Sequence, residues 1–389
     1  MFVRGLIAVG MSLALLAGSA AGQEALQQAG EECAVYPAAA WAKAPFPAGV
    51  RENVEALIDD AMSREVADVM GESRQIVVIH KGRLVAEAYR EGFAPETKLV
   101  SWSMAKSITQ ALVGRAVMEG LIEDIDASMP GRWAEGDPRA AVTWRQWMMM
   151  VDGLDYAEVG EADLAKNDVV QMMFGPGRFD VVDYAAELEQ VHPVGTHWNY
   201  STAAYHLISS ALQWEVISAF HWQVRDPFDY AKTKWLNETL FTPLGMDAQP
   251  EFDASGTFLG GSLVYASARD FARFGYLYLR DGVWNGERLL PEGWVDFARR
   301  PHEGTGSNVY GAGWWITPPE GETPTHPQSA KSAPYDAYHA GGNEGQTIWV
   351  VPSKDLVIVR LGLMSNAPEN WAALFEWNQE VARAFPDVE

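Results

Sequence analysis

A mixed α/β (α+β) fold is what this sequence predicts: one antiparallel sheet assembled from segments near both ends of the chain, with a helical region inserted between them. Three observations predict it. β-rich runs at 75–79 and 84–89 flank His80-Lys81-Gly82-Arg83 and read as a hairpin. A second hairpin is expected from the runs at 346–351 and 356–361 around Pro352-Ser353-Lys354-Asp355, a segment rich in turn-forming residues. Between the two, helical periodicity takes over, and strands at both ends with helices between them call for a shared sheet.

The elements follow in order. Residues 106–120 carry Ile108, Ala111, Leu112, Val113, Ala116 and Val117 at helical spacing, and 205–220 is similar. Residues 267–279 open with Ser267 and Asp270 in the pattern of a helix start and continue with Phe271, Phe274, Leu277 and Tyr278 on one stripe. That stripe is core rather than a cofactor box. A further strand is expected at 312–317, just before the last hairpin.

Of the 389 residues 48% are hydrophobic, enough to bury the core of one large domain with an insertion, or of two or three ordinary units. One domain is expected over 51–389, with the helical region at about 107–245. The net charge of −23, from 29 Lys and Arg against 52 Asp and Glu, excludes a nucleic-acid partner, because such affinity comes from neutralising phosphates. Cys33 is alone, so it makes neither an internal disulfide nor a CxxC zinc cluster, and Glu31-Glu32 before it do not form a lipoprotein box. Arg4, the apolar stretch 6–16 and Gly18-Ser19-Ala20-Ala21 read as a signal peptide over 1–21, cleaved near Ala21. The stretch is too short and Gly-rich for a stable membrane span. A periplasmic or secreted protein is expected, with a loose linker at 22–50.

The commoner hydrolase signals are missing. There is no G-x-S-x-G elbow, no H-E-x-x-H and no phosphate-binding P-loop. His192 and His197 are separated by Pro193 and Gly195 and lack metal-ligand spacing. No metal and no cofactor is expected. What does occur is Ser103-Met104-Ala105-Lys106 at the start of the first convincing helix. Three residues along a helix put both side chains on one face. A desolvated lysine beside a helix N-terminus loses its proton more readily and can serve a serine as base. Alone, this motif is also what an ordinary surface helix produces by chance. Two further elements follow: Pro193-Val194-Gly195-Thr196-His197-Trp198-Asn199-Tyr200-Ser201-Thr202, and His339-Ala340-Gly341-Gly342-Asn343-Glu344-Gly345 leading into the last hairpin.

In that order the three resemble the serine β-lactamase and penicillin-binding-protein superfamily, with its motifs S-x-x-K, Y-x-[N/S] and [K/H]-[T/x]-G. Ser101 to Ser107, the loop Met148-Met149-Met150-Val151-Asp152-Gly153-Leu154 and the stretch 266–286 are similar to its class C-related branch. The likeness is strongest to members related to 6-aminohexanoate-oligomer hydrolases and family VIII esterases, and it covers about 54–384. It implies a transpeptidase-like sheet with an inserted helical region. It also implies Ser103 as acylated nucleophile, Lys106 as its base and Tyr200 as proton carrier. The oxyanion site would use the backbone of Ser103 and Gly342, with His339, Gly341 and Thr202 toward substrate. Three departures matter. His339 stands where relatives carry a Lys able to hold a substrate carboxylate, and Thr202 stands where lactamases carry an Asn. Asp155-Tyr156-Ala157-Glu158 is followed by Val159 and Gly160, without the Tyr that oligomer hydrolases place there. The small-molecule substrate implied is therefore an ester or small amide. A D-amino-acid peptidase or weak β-lactamase, or a non-catalytic cell-wall binding protein, remain the alternatives. The sixteen Trp, among them Trp198, Trp314 and Trp315, suggest aromatic pocket walls.

Overall fold

The structure, a computed structural model, describes residues 35–37, 40–318, 322–325 and 334–388. The expected signal peptide, Cys33 and the first part of the linker lie outside them. In chain order the elements that build the site are helix α1 (Arg51–Ser63), strands β1 (Glu72–His80), β2 (Arg83–Tyr89) and β3 (Leu99–Val100), helices α2 (Met104–Met118) and α3 (Thr202–Phe220), strands β4 (Gln249–Pro250) and β5 (Val264–Ala266), helix α4 (Ala268–Leu279), strands β6 (Trp315–Ile316), β7 (Tyr338–Gly342), β8 (Gln346–Val351) and β9 (Leu356–Leu363), and helix α5 (Pro368–Ala384).

The main sheet has six antiparallel strands in the order β2-β1-β9-β8-β7-β6, so the two hairpins meet along β1 and β9. Sequence-distant ends do share one sheet, as expected. The first hairpin turns on Lys81 (φ 49°) and Gly82 (φ 70°), both left-handed, as a two-residue turn matching strand twist requires. Lys81 N–H then donates to the Asp355 carbonyl at 2.9 Å, tying the two hairpin turns together.

Side chains alternate across this sheet, yet both faces are covered. Val77, Ile79, Ile348 and Val359 join the core that contains α2, α3 and α4, while Ile76, Val78, Trp349 and Ile358 join the core under α1 and α5. Burial on both sides is why these strands read as unbroken apolar runs. Helix α4 comes closest at Gly275, where an added Cβ would lie 2.6 Å from Ile348 Cγ2 and 2.8 Å from Val357 Cγ1.

Several boundaries differ from expectation. Helix α3 begins at Thr202, because the Ser201 side chain caps it by accepting from Ala204 N–H. The strand expected at 312–317 shrinks to Trp315–Ile316. A second sheet, β3-β5-β4, was not legible, since its strands are only two or three residues long. Residues 41–50 are not loose. Trp41 is buried and donates from its indole to the Arg269 carbonyl, and Ala42 and Ala44 bond the Leu84 backbone.

Gly275→Val should lower stability by about 3 kcal/mol, because overpacking two β-branched neighbours outweighs the helix propensity gained. Urea unfolding that left the midpoint unchanged would contradict this packing.

Candidate active site

Ser103 stands at the N-cap of α2, and Lys106 projects from the first turn of that helix. The lysine amine is fully buried, 3.0 Å from Ser103 Oγ, 2.8 Å from Thr202 Oγ1 and 2.8 Å from the Gly261 carbonyl. Two of these partners have a fixed role. The Thr202 hydroxyl donates to Glu158 Oε1 at 3.0 Å, so toward the lysine its oxygen accepts. The Gly261 carbonyl can only accept. A neutral amine has two N–H bonds, both consumed this way, and its lone pair is left for the Ser103 hydroxyl proton. An ammonium would instead aim a third N–H at Ser103 Oγ. Burial pulls the Lys106 pKa down to about 8, against the opposing charge of Glu158.

Tyr200 is buried, and Ser103 lies close enough to its hydroxyl to offset a little of the effect of that burial. Burial, then the Glu158 charge, push this phenol far above its ordinary range, so it stays protonated and can only give a proton. Its ring stacks on Trp315 at 5.3 Å, meets Tyr310 edge-on at 5.7 Å and lies 4.7 Å from the Lys106 amine. The approach to Tyr200 is held from below. Asn199 N–H donates to the Met150 carbonyl at 3.1 Å and Gly195 N–H to the Val151 carbonyl at 2.8 Å. This gives the loop after Met148 its purpose.

Strand β7 brings its last residues beside Ser103. A Cβ on Gly342 would sit 2.2 Å from the Ser101 carbonyl, so only glycine lets the strand end pass this close. Gly341 faces the Trp315 indole, 3.3 Å from where its Cβ would be. His339 is sandwiched, with Trp349 at 4.9 Å and Trp315 at 6.3 Å, both nearly parallel to its ring. Burial drops its pKa to about 3, so it is neutral and supplies no cation. Thr202 does not reach the cleft. It is fully buried behind Lys106 and Tyr200, with its hydroxyl spent on Lys106 and Glu158.

Sequence reading singled out Ser103, Lys106 and Tyr200 but not the groups around the amine. Glu158 was read only as the end of a loop motif. It accepts from both Thr202 N–H, at 2.9 Å, and the Thr202 hydroxyl, at the N-terminus of α3. Gly260 and Gly261 were not singled out. A Cβ on Gly260 would lie 2.4 Å from both Ser209 Oγ and Thr109 Oγ1, so the segment passes between α2 and α3 only as glycine. Two glycines before a short strand and a capped helix were the available signal.

Above Ser103 opens a cleft of about 420 Å³, lined also by Tyr200, His339 and Gly342. Trp102, Phe174, Trp315, Trp371 and Phe375 form aromatic walls, with the carboxylates Glu158 and Glu161 and the amides Asn343 and Asn366 between them. Among the described residues no Lys or Arg lines it. Of the tryptophans expected at a pocket only Trp315 is there; Trp314 is core.

Thr202→Val keeps the shape but removes one acceptor from the lysine. Ser103 reactivity toward a fluorophosphonate should fall about tenfold, while Thr202→Ser should retain it. Equal rates for Val and wild type would contradict the donor count.

The chain is similar to known proteins over most of its length. It is 26% identical over 312 residues to the 6-aminohexanoate-dimer hydrolase of Paenarthrobacter ureafaciens, covering 73% of this chain and 71% of that one. A structure from Bacillus anthracis, provisionally described as a 6-aminohexanoate-dimer hydrolase, superposes with TM-score 0.62 at 20% identity, covering 88% of this chain and 87% of that one. EstCE1, a hydrolase with promiscuous acyltransferase activity, superposes with TM-score 0.57 at 13% identity, covering 86% of this chain and 98% of that one. A family model described as Beta-lactamase matches residues 55–213 and 218–382. With that match and this fold, the chain belongs to the beta-lactamase family of the serine β-lactamase and penicillin-binding-protein superfamily.

Proposed function

We propose that this protein is a serine hydrolase that cleaves an ester or small amide through an acyl-enzyme on Ser103. The observation that carries the reading is the buried Lys106 amine, 3.0 Å from Ser103 Oγ, with Thr202 Oγ1 and the Gly261 carbonyl placed to accept the two N–H bonds of its neutral form. Lys106 takes the hydroxyl proton as Oγ bonds the substrate carbonyl carbon. The oxygen that becomes negative faces the backbone N–H groups of Ser103 and Gly342. Tyr200 gives its proton to the leaving oxygen or nitrogen, the acyl–leaving-group bond breaks, and the Lys106 ammonium restores the phenol. Water then attacks the acyl-enzyme, passes a proton to Lys106 through Tyr200, and Ser103 leaves with that proton. The relative from Paenarthrobacter ureafaciens, by its name, supports the amide half of this reading. The apolar stretch 6–16 supports export.

Peptidase and β-lactamase readings fit less well. Their substrates bear a carboxylate near the scissile bond, whereas His339 is neutral and, among the described residues, the cleft is lined by Glu158 and Glu161 and by no Lys or Arg. The cleft favours substrates that are neutral or positive. A purely binding role fits least, because nothing structural requires burying an amine against a serine, and doing so costs desolvation.

Three outcomes are expected. p-Nitrophenyl butyrate should be turned over, and Ser103→Ala should abolish this; turnover that survives the substitution removes the proposal. kcat/KM should level off above about pH 8 and fall tenfold per pH unit below it, since only the neutral amine is competent. A profile flat down to pH 5 contradicts the role of Lys106. Finally, mono-p-nitrophenyl glutarate should be a poorer substrate than p-nitrophenyl pentanoate by about tenfold, the effect of carboxylate repulsion. Equal kcat/KM for the pair would rule out the substrate class.

A further inference from the structure

We propose that the hydrogen bond between Trp102 and Glu344 is a latch holding the two backbone donors of the oxyanion site in register, which makes Glu344 a positioning residue. The inference rests on the reading of Ser103 as nucleophile with Gly342 opposite it.

Each residue stands next to one of those donors in an unusual conformation. Trp102, immediately before Ser103, has φ 44°, and Glu344, two residues after Gly342, has φ 62°. Residues with side chains rarely adopt this left-handed region, and they stay there only where their surroundings insist on it. Across the gap between them the Trp102 indole N–H donates to Glu344 Oε2 at 3.0 Å, joining segments 242 residues apart.

Both ends of the latch are fixed to the framework. On the serine side, Ser101 N–H donates to the Val264 carbonyl at 2.8 Å, and Val264 N–H donates to Ser101 Oγ at 3.0 Å, so the turn is sewn to β5. On the other side the turn rests on Arg360, a fully buried guanidinium of β9. Arg360 donates to the carbonyls of Glu344 at 3.3 Å and Gly345 at 3.0 Å. It also donates to the carbonyls of Met70 at 2.9 Å and Glu72 at 2.8 Å, and to Ser73 Oγ at 3.1 Å. A Cβ on Gly345 would lie 2.7 Å from that guanidinium. The β7–β8 turn is thus clamped to the start of β1. What remains between two rigid platforms is the spacing of the Ser103 turn from the Gly342 strand end, and the indole–carboxylate contact sets it. Oxyanion stabilisation depends on donors already in place when charge develops, so a small misplacement acts on rate.

The test is the rate at which a fluorophosphonate phosphonylates Ser103, measured against pH beside the thermal midpoint of each variant. Glu344→Ala and Trp102→Phe should each slow the reaction about tenfold. Their double variant should be no slower than the slower single, since either change opens the same latch. Glu344→Gln should recover most of the rate, because its amide oxygen still accepts from the indole. The pH midpoint should not move in any of them, as Lys106 is untouched. A Glu344→Ala rate within twofold of wild type overturns the latch. So does a double variant that multiplies the two single losses, or a Glu344→Gln as slow as Glu344→Ala. A wild-type chain that is not phosphonylated overturns the nucleophile assignment instead, and the latch with it.

Discussion

An amine sealed from water must receive its hydrogen bonds from the protein, and around Lys106 the protein offers one hydroxyl and one carbonyl besides Ser103. Burial of that amine, more than the three-residue spacing, is what pulls its pKa down. Much of the surrounding architecture serves it. Thr202 is available as an acceptor because its hydroxyl donates to Glu158, and Glu158 is held by the N-terminus of α3. The Gly261 carbonyl is within reach because two successive glycines let the chain slip between α2 and α3. Glu158 also limits how far the pKa falls, since its charge favours the ammonium. Burial and that charge together leave its pKa at about 8.

The sheet does the complementary work on the other side of the serine. Strand β7 ends in two glycines and lies next to β8, which is buried throughout its length. A strand fixed by two packed layers presents its final backbone groups to Ser103 with little freedom to shift. The cleft above this rigid junction takes its character from its lining. Aromatic faces supply area, and carboxylates, with no Lys or Arg beside them among the described lining residues, supply negative potential. His339, pressed between two indoles, is kept neutral by burial.

Much of this was legible from the residues because it is carried by local patterns. Alternating apolar runs around His80-Lys81-Gly82-Arg83 and Pro352-Ser353-Lys354-Asp355 gave both hairpins, and helical stripes gave α2, α3 and α4. Ser103, Lys106 and Tyr200 announced themselves because each belongs to a short motif at a helix start. What stayed hidden depends on long-range contact. Glu158 meets Thr202 across 44 residues and Gly261 meets Lys106 across 155, and neither pairing leaves a periodic trace. Strands β3, β4 and β5 are too short to show alternation. Trp371 and Phe375 face the cleft from α5, yet in sequence they are indistinguishable from other core aromatics of that helix.

The central claim concerns one proton on one nitrogen, and the most direct measurement observes that nitrogen. In chain labelled with ¹³Cε,¹⁵Nζ-lysine, the Lys106 resonance, assigned by loss in Lys106→Arg, can be followed by NMR across pH. A titration midpoint near 8, apart from the other lysines, is what the buried site predicts. A midpoint at the ordinary lysine value of about 10.4 would mean that the amine stays charged under working conditions, and Lys106 could not be the base.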